Sequence, residues 1–248
     1  MQLFLAAAIG IFVVAASLVG VRLLLLARRT GQLPELLVGA GFALIGLLGY
    51  PLAMISGFGR GAVAEVNLGM WVAGMLIMNV GLTCLYAFTA RVFRTGQAWA
   101  WLAVALLTVA NLGSASGSWG ALVSAPPEAL SYQVTAAWSA AGQVTSGLGF
   151  AWIGLESWLQ FEMSLKRRAL GLADAVVTNR FLLFVLFATS AMGMNAANSL
   201  ALAAGVSAVE SVPVQASMAV LGLAASACMY LAFLPAPAYR RWVERRGA

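Results

Sequence analysis

"LKRRALGLADAVVTNRF", residues 165–181, sets Lys166, Arg167, Arg168 and Arg180 between two long apolar stretches, in a chain of which only 9% of residues are charged. A soluble domain is about half apolar and about a quarter charged. This chain is 62% hydrophobic over 248 residues, with a mean hydropathy of +0.92. So few charges cannot cover a water-facing surface, and lipid must solvate most of it. The basic run of 165–181 therefore reads as a connection between membrane crossings.

Outward from that connection the same pattern repeats. A crossing helix needs about 20 mostly apolar residues. Seven such runs are present, at about 3–27, 35–57, 67–90, 98–118, 131–159, 181–204 and 214–234. Backbone groups in lipid must be satisfied within the element, by helices or by a closed barrel. Barrel strands alternate over roughly 10 residues, whereas these runs are continuous and about twice as long. The expected fold is an all-α integral membrane protein, a seven-transmembrane-helix bundle over 1–234 with a basic amphipathic tail at 235–248.

Charge then orients the bundle. With seven crossings, the connections 1–2, 3–4 and 5–6 share a side with the C-terminus. That side carries Arg22, Arg28, Arg29, Arg91, Arg94, Lys166, Arg167, Arg168, Arg180, Arg240, Arg241, Arg245 and Arg246, and the other carries Arg60. The positive-inside rule assigns N-out and C-in, with the C-terminus cytoplasmic in an inner membrane. The first run has no basic residue before it, so it reads as an anchor, not a cleaved secretory signal. The net charge of +6 reflects this topology and attraction to anionic headgroups, and gives no reason to expect nucleic acid.

The quoted stretch also carries helix-end signals. Lys166, Arg167 and Arg168 suit a helix C-terminus, Gly171 the position just beyond it, and Asp174 the N-cap of the next helix. "ARRTGQLPELL" repeats the arrangement earlier with Gly31, Pro34 and Glu35. Duplication of helices 1–3 as 5–7, or helix-end physics alone, accounts for the likeness. The outer connections "SGFGRGAVAE", "VSAPPEAL" and "GVSAVESVPVQ" read as short caps. After Pro235 and Pro237, "AYRRWVERR" sets Tyr239, Trp242 and Val243 at helical spacing opposite arginines, as in a short interfacial helix or a frayed basic tail.

Much chemistry is excluded. There is no histidine, which removes imidazole bases and imidazole-ligated metals. The one lysine, Lys166, lies in a turn, so no Schiff base forms at mid-membrane. No acid sits near the centre of a run; Glu156 comes closest, and is expected to pair with a basic residue or snorkel to the interface. Ser and Cys lack a neighbouring base. Cys84, Cys228 and span methionines such as Met75, Met78, Met192 and Met194 read as packing residues. No catalytic residue, metal site or cofactor is expected, and an enzyme is not.

What remains inside the runs is amide and hydroxyl. Asn79, Asn111, Gln143, Asn195 and Asn198 fall at similar depths on four helices. They read either as helix–helix hydrogen-bonding groups or as a shared pocket for a small, largely apolar ligand with a polar end. Lys166, Arg167, Arg168, Arg180, Arg240 and Arg241 are candidates for contact with lipid headgroups or a cytoplasmic signalling partner.

Seven helices, basic inner connections and a basic amphipathic tail resemble receptor and opsin architecture. "RRTGQLPELLVGAGF" and "RRALGLADAVVTNRFLLF" are similar to stretches of bacterial seven-helix membrane proteins, sensor-like ones among them. The likeness stops short of functional motifs: 214–234 has no lysine, the third run ends "TARVFR", and the seventh ends "LPAPAY". The resemblance implies a receptor-like sensor of a small apolar or lipid-like ligand signalling through a separate partner. A 3+1+3 facilitator of a small neutral solute and a structural membrane subunit are the alternatives.

Overall fold

The computed structural model describes residues 2–56, 67–126, 132–206 and 211–247. The expected outer caps, with Arg60, lie largely outside these residues. Among the described residues the chain is helical and contains no strand. In order it forms α1 (Gln2–Thr30), α2 (Leu33–Ala43), a π-helical turn (Leu44–Gly49), α3 (Tyr50–Ile55), α4 (Leu68–Phe93), α5 (Ala98–Ser124), a 3-10 turn (Tyr132–Thr135), α6 (Ala136–Ala169), α7 (Ala175–Ala203), α8 (Val212–Phe233) and α9 (Pro237–Gly247).

The helices close into a ring in chain order. α1 packs on α2, the second run packs on α4, and α4, α5, α6, α7 and α8 follow as neighbours until α8 meets α1. The interior holds Val19, Phe42, Leu85, Tyr86, Phe150, Ile153, Phe187 and Met229. Phe42, Phe150 and Phe233 meet Phe187 or one another edge-on at ring-centroid distances of 5.6 to 6.0 Å. Outward-facing apolar residues, Val109 (68% exposed) and Leu200 (71%) among them, suit a surface solvated by hydrocarbon. The glycines of "GAGFALIGLLGYP" face neighbouring helices at close range: a β-carbon on Gly41 would come within 3.0 Å of the Gly81 carbonyl oxygen. Small residues let backbones approach where lipid offers no hydrophobic drive.

Among the described residues, six helical segments are long and apolar enough to cross a membrane: Phe4–Thr30, Leu33–Ile55, Leu68–Phe93, Ala98–Ser124, Ala175–Ala203 and Val212–Phe233. The expected fifth crossing, 131–159, is absent from that set. It falls mostly in α6, which is long enough, 34 residues or about 51 Å at 1.5 Å per residue, but is diluted by Ser139, Gln143, Ser146, Glu156 and Ser157. Glu156 and Ser157 are buried against neighbouring helices, so the face that α6 leaves uncovered is more apolar than its average composition suggests.

The second run is continuous helix with one irregularity. Pro51 has no N–H and its ring collides with the carbonyl one turn back. The preceding segment widens to a π turn, and the Tyr50 N–H donates to the Ile45 carbonyl, five residues back.

The 165–181 connection forms as its residues dictate. Gly171 (φ 70°) follows the helix end, its N–H donates to the Arg168 carbonyl and that of Leu172 to the Arg167 carbonyl, a Schellman closure that requires the left-handed region at Gly171. The Asp174 carboxylate accepts from the Val176 N–H at 2.6 Å, capping α7. At the earlier turn Gly31 also has positive φ (69°), but Gln32 makes no side-chain cap; there Thr30 donates to the Glu35 carboxylate.

Candidate functional site

Polar residues of α6 recur at helical spacing: Ser146, Glu156, Ser157 and Ser164 share one broad face with Gly149 and Ile153. That face meets α5, α4 and α7 in turn. Near the N-terminal end of α6 the Ser114 hydroxyl of α5 donates to the Trp138 carbonyl at 2.5 Å. One to two turns further in, the Ser146 hydroxyl donates to Asn111 Oδ1 at 3.0 Å, while Asn111 Nδ2 donates to its own helix at the Leu107 carbonyl. Thr83 and Thr108 join α4 to α5 at 3.0 Å. Tyr86 of α4 is wholly buried over Gly149 of α6. Its hydroxyl lies beside Asn111 and Ser146 but meets no partner in hydrogen-bonding geometry.

The five amides are therefore distributed as follows. Asn111 bridges α5 and α6. Asn195 lies against Gly147, on the same turn of α6 but facing α7, and its Nδ2 donates to the Ala191 carbonyl at 2.8 Å. Asn79 and Asn198 are buried on α4 and α7, and Gln143 is half-buried on α6. Asn111 and Asn195 thus share a depth but occupy two interfaces.

Two hollows among the described residues are lined by none of these amides. One is a tight apolar seam between α2, α7 and α8 with no room for a water molecule, lined by Phe42, Phe184, Phe187, Met229 and Phe233. The other is an open groove of about 550 Å³ on the outer surface of α1 and α3, lined by Gly10, Val13, Pro51, Met54 and Ile55. Pockets for drug-sized ligands span about 300–1,000 Å³, so the first is too small and the second opens sideways.

Further along the α6 face stands a feature that sequence reading anticipated only in part. Glu156 is buried and accepts at Oε1 from Arg94 Nε (2.7 Å) and from Trp152 Nε1 (3.1 Å). The Arg94 guanidinium also lies 5.5 Å from the centre of the Trp99 ring, and Trp99 and Trp152 are 6.1 Å apart. For Glu156 the sequence suggests either a basic partner or a snorkelled position, and the structure gives the partner. That it comes from the end of α4, 62 residues away in the chain, and is flanked by two tryptophans, required the fold.

Beyond this pair lie the basic candidates. Lys166, Arg167 and Arg180 are exposed and Arg168 is half-buried. Ser164 and Thr178 hold α6 to α7 at 2.7 Å. Asn179 Nδ2 donates to the Tyr239 hydroxyl at 2.8 Å, fixing α9 to α7. Arg240 pairs within α9 with Glu244 at 2.9 Å, and Arg241 is exposed.

No family model matches the chain, and no curated protein or solved structure is significantly similar to it. Its class therefore rests on the fold: a helical integral membrane protein that crosses the bilayer several times. Its nearest environment is the lipid bilayer itself.

Proposed function

We propose that this is a bacterial inner-membrane protein of seven crossings, N-out and C-in, acting as a receptor-like sensor of a small apolar or lipid-like ligand and signalling through a separate cytoplasmic partner. In this reading α6 is the seventh crossing. It lies in the ring between two crossing-length helices, and with it the basic connections all fall on one side.

The observation that carries the sensor reading is the buried Arg94–Glu156 pair between the C-terminal end of α4 and the middle of α6. A sensor without a soluble domain must convert ligand binding into a discrete change at its cytoplasmic face. A buried ion pair is made or broken, with little in between. α6 carries it about three turns from the amide and hydroxyl layer of Asn111 and Ser146. A ligand whose polar end competes for that layer shifts α6 along or about its axis, and the Arg94–Glu156 contact reports the shift.

Distance measurement between spin labels at Thr95 and Lys166, in the reconstituted protein, tests this. Glu156→Ala, which removes the carboxylate that Arg94 meets, is expected to displace or broaden the distribution relative to the unmodified residue. An identical distribution overturns the two-state reading. Flux of small neutral solutes through proteoliposomes above that of empty vesicles replaces the sensor with the facilitator.

A further inference from the structure

α9 follows α8 after only Leu234, Pro235 and Ala236. Three residues reach at most about 11 Å, so α9 cannot leave the bilayer surface at which α8 ends. Its sequence, PAYRRWVERRG, holds four arginines against one glutamate. At 100° per residue, Tyr239, Trp242 and Val243 form one stripe. Val243 is buried, Tyr239 stacks on Trp242 at 5.7 Å, and Asn179 of α7 binds the Tyr239 hydroxyl. Those contacts fix the roll of the helix on the bundle.

The roll decides which charges face outward. Arg240 is matched by Glu244 on one flank. Arg241 and Arg245, one turn apart on the other flank, are exposed, and neither meets an acid among the described residues. Trp242, 47% exposed, adjoins them. Two guanidinium forks side by side suit a phosphodiester, which accepts paired N–H donors. A tryptophan beside them suits headgroup depth, where the indole ring keeps one edge wet.

We propose that α9 is a built docking site for the phosphate of an anionic phospholipid, with Arg241 and Arg245 as its ligands, Trp242 as its interfacial anchor and the Asn179–Tyr239 bond as the device that presents them. The proposal needs a membrane protein with α9 at the surface and is independent of the sensor reading. An acidic peptide fits less well, because the site lies flush against the bilayer.

The test uses the purified full-length chain in neutral detergent, titrated with phosphatidylglycerol or phosphatidylcholine, with retained lipid counted by native mass spectrometry. Phosphatidylglycerol is expected to be retained in preference. Arg241→Gln with Arg245→Gln should weaken retention roughly thirtyfold, the loss that two surface cations represent. Arg241→Lys with Arg245→Lys keeps the charge and should still lose several-fold through the missing forks. Tyr239→Phe changes no charge and should also lose several-fold, with an unchanged melting midpoint showing that the fold persists. Retention unaltered by Tyr239→Phe and by the lysine pair would mean diffuse attraction to basic residues, and would overturn the built site. Equal retention of phosphatidylcholine would overturn it as well.

Discussion

Replacing Glu156 or Arg94 offers the sharpest test of how the bundle is held at its basic end. The two sides of the pair are unequally buried: the Arg94 side chain is 29% exposed and that of Glu156 only 3%. Breaking a buried pair costs about 3–5 kcal/mol, because the surviving charge is left uncompensated. Glu156→Ala strands an arginine that water still reaches, so its cost lies near the lower limit, about 3 kcal/mol. Arg94→Ala strands a carboxylate served only by the Trp152 indole N–H, and its cost lies near the upper limit, about 5 kcal/mol. Glu156→Gln keeps an oxygen for both donors and loses only the charge assistance, worth about 1 kcal/mol. At about 2–4 °C per kcal/mol for a chain of this size, Glu156→Ala lowers the melting midpoint in detergent by roughly 6–12 °C and Glu156→Gln by about 2–4 °C. The Arg94→Ala, Glu156→Ala double variant should lose less than the sum of its parts. Trp152 and Trp99 make intrinsic fluorescence the natural probe, since both indoles lie at the pair. Strict additivity in the double variant, or midpoints indistinguishable from wild type, would refute a coupled buried pair.

Other outcomes follow from the same contacts. Gly149→Ala drives a methyl group into the Tyr86 ring and should cost about 1–3 kcal/mol by overpacking, read as a lowered midpoint. Tyr86→Phe removes a buried hydroxyl without a well-aligned partner and should be neutral or stabilising by up to about 1 kcal/mol; a loss beyond that size shows the hydroxyl engaged. Asp174→Ala should cost about 1 kcal/mol as a lost N-cap, and Gly171→Ala about 1–2 kcal/mol because alanine resists the left-handed region. Both changes should accelerate hydrogen exchange at 175–178. Reporter fusions after Gly31 and Gly96 should report cytoplasm and those after Ala62 and Glu128 the opposite side; a cytoplasmic signal at Ala62 refutes the assigned orientation.

Composition and periodicity alone determined that the chain is helical and embedded in lipid, because hydration of so few charges cannot support any other solvent, and because a run's apolar length is a local property. The ends of the 165–181 connection were equally legible: Gly171 and Asp174 act on backbone groups within four residues of themselves. The π turn at Leu44–Gly49 had a local cue in Pro51, but whether a proline kinks or widens its helix depends on the neighbours that hold the two halves in line. α6 marks the limit of hydropathy. Its suitability for lipid depends on which of its polar side chains α4, α5 and α7 cover, and no average over 131–159 contains that information. The amides divide in the same way. Their depth could be counted along each helix, but the rotation of each helix about its axis could not, so only packing set Asn111 against Ser146 and turned Asn195 toward the other flank of α6. The partner of Glu156 was the least legible of all. Arg94 lies 62 residues away in the chain, and the end of α4 meeting the side of α6 in a closed ring is a property of the whole bundle, set by how its faces fit together, not by any stretch of residues within it.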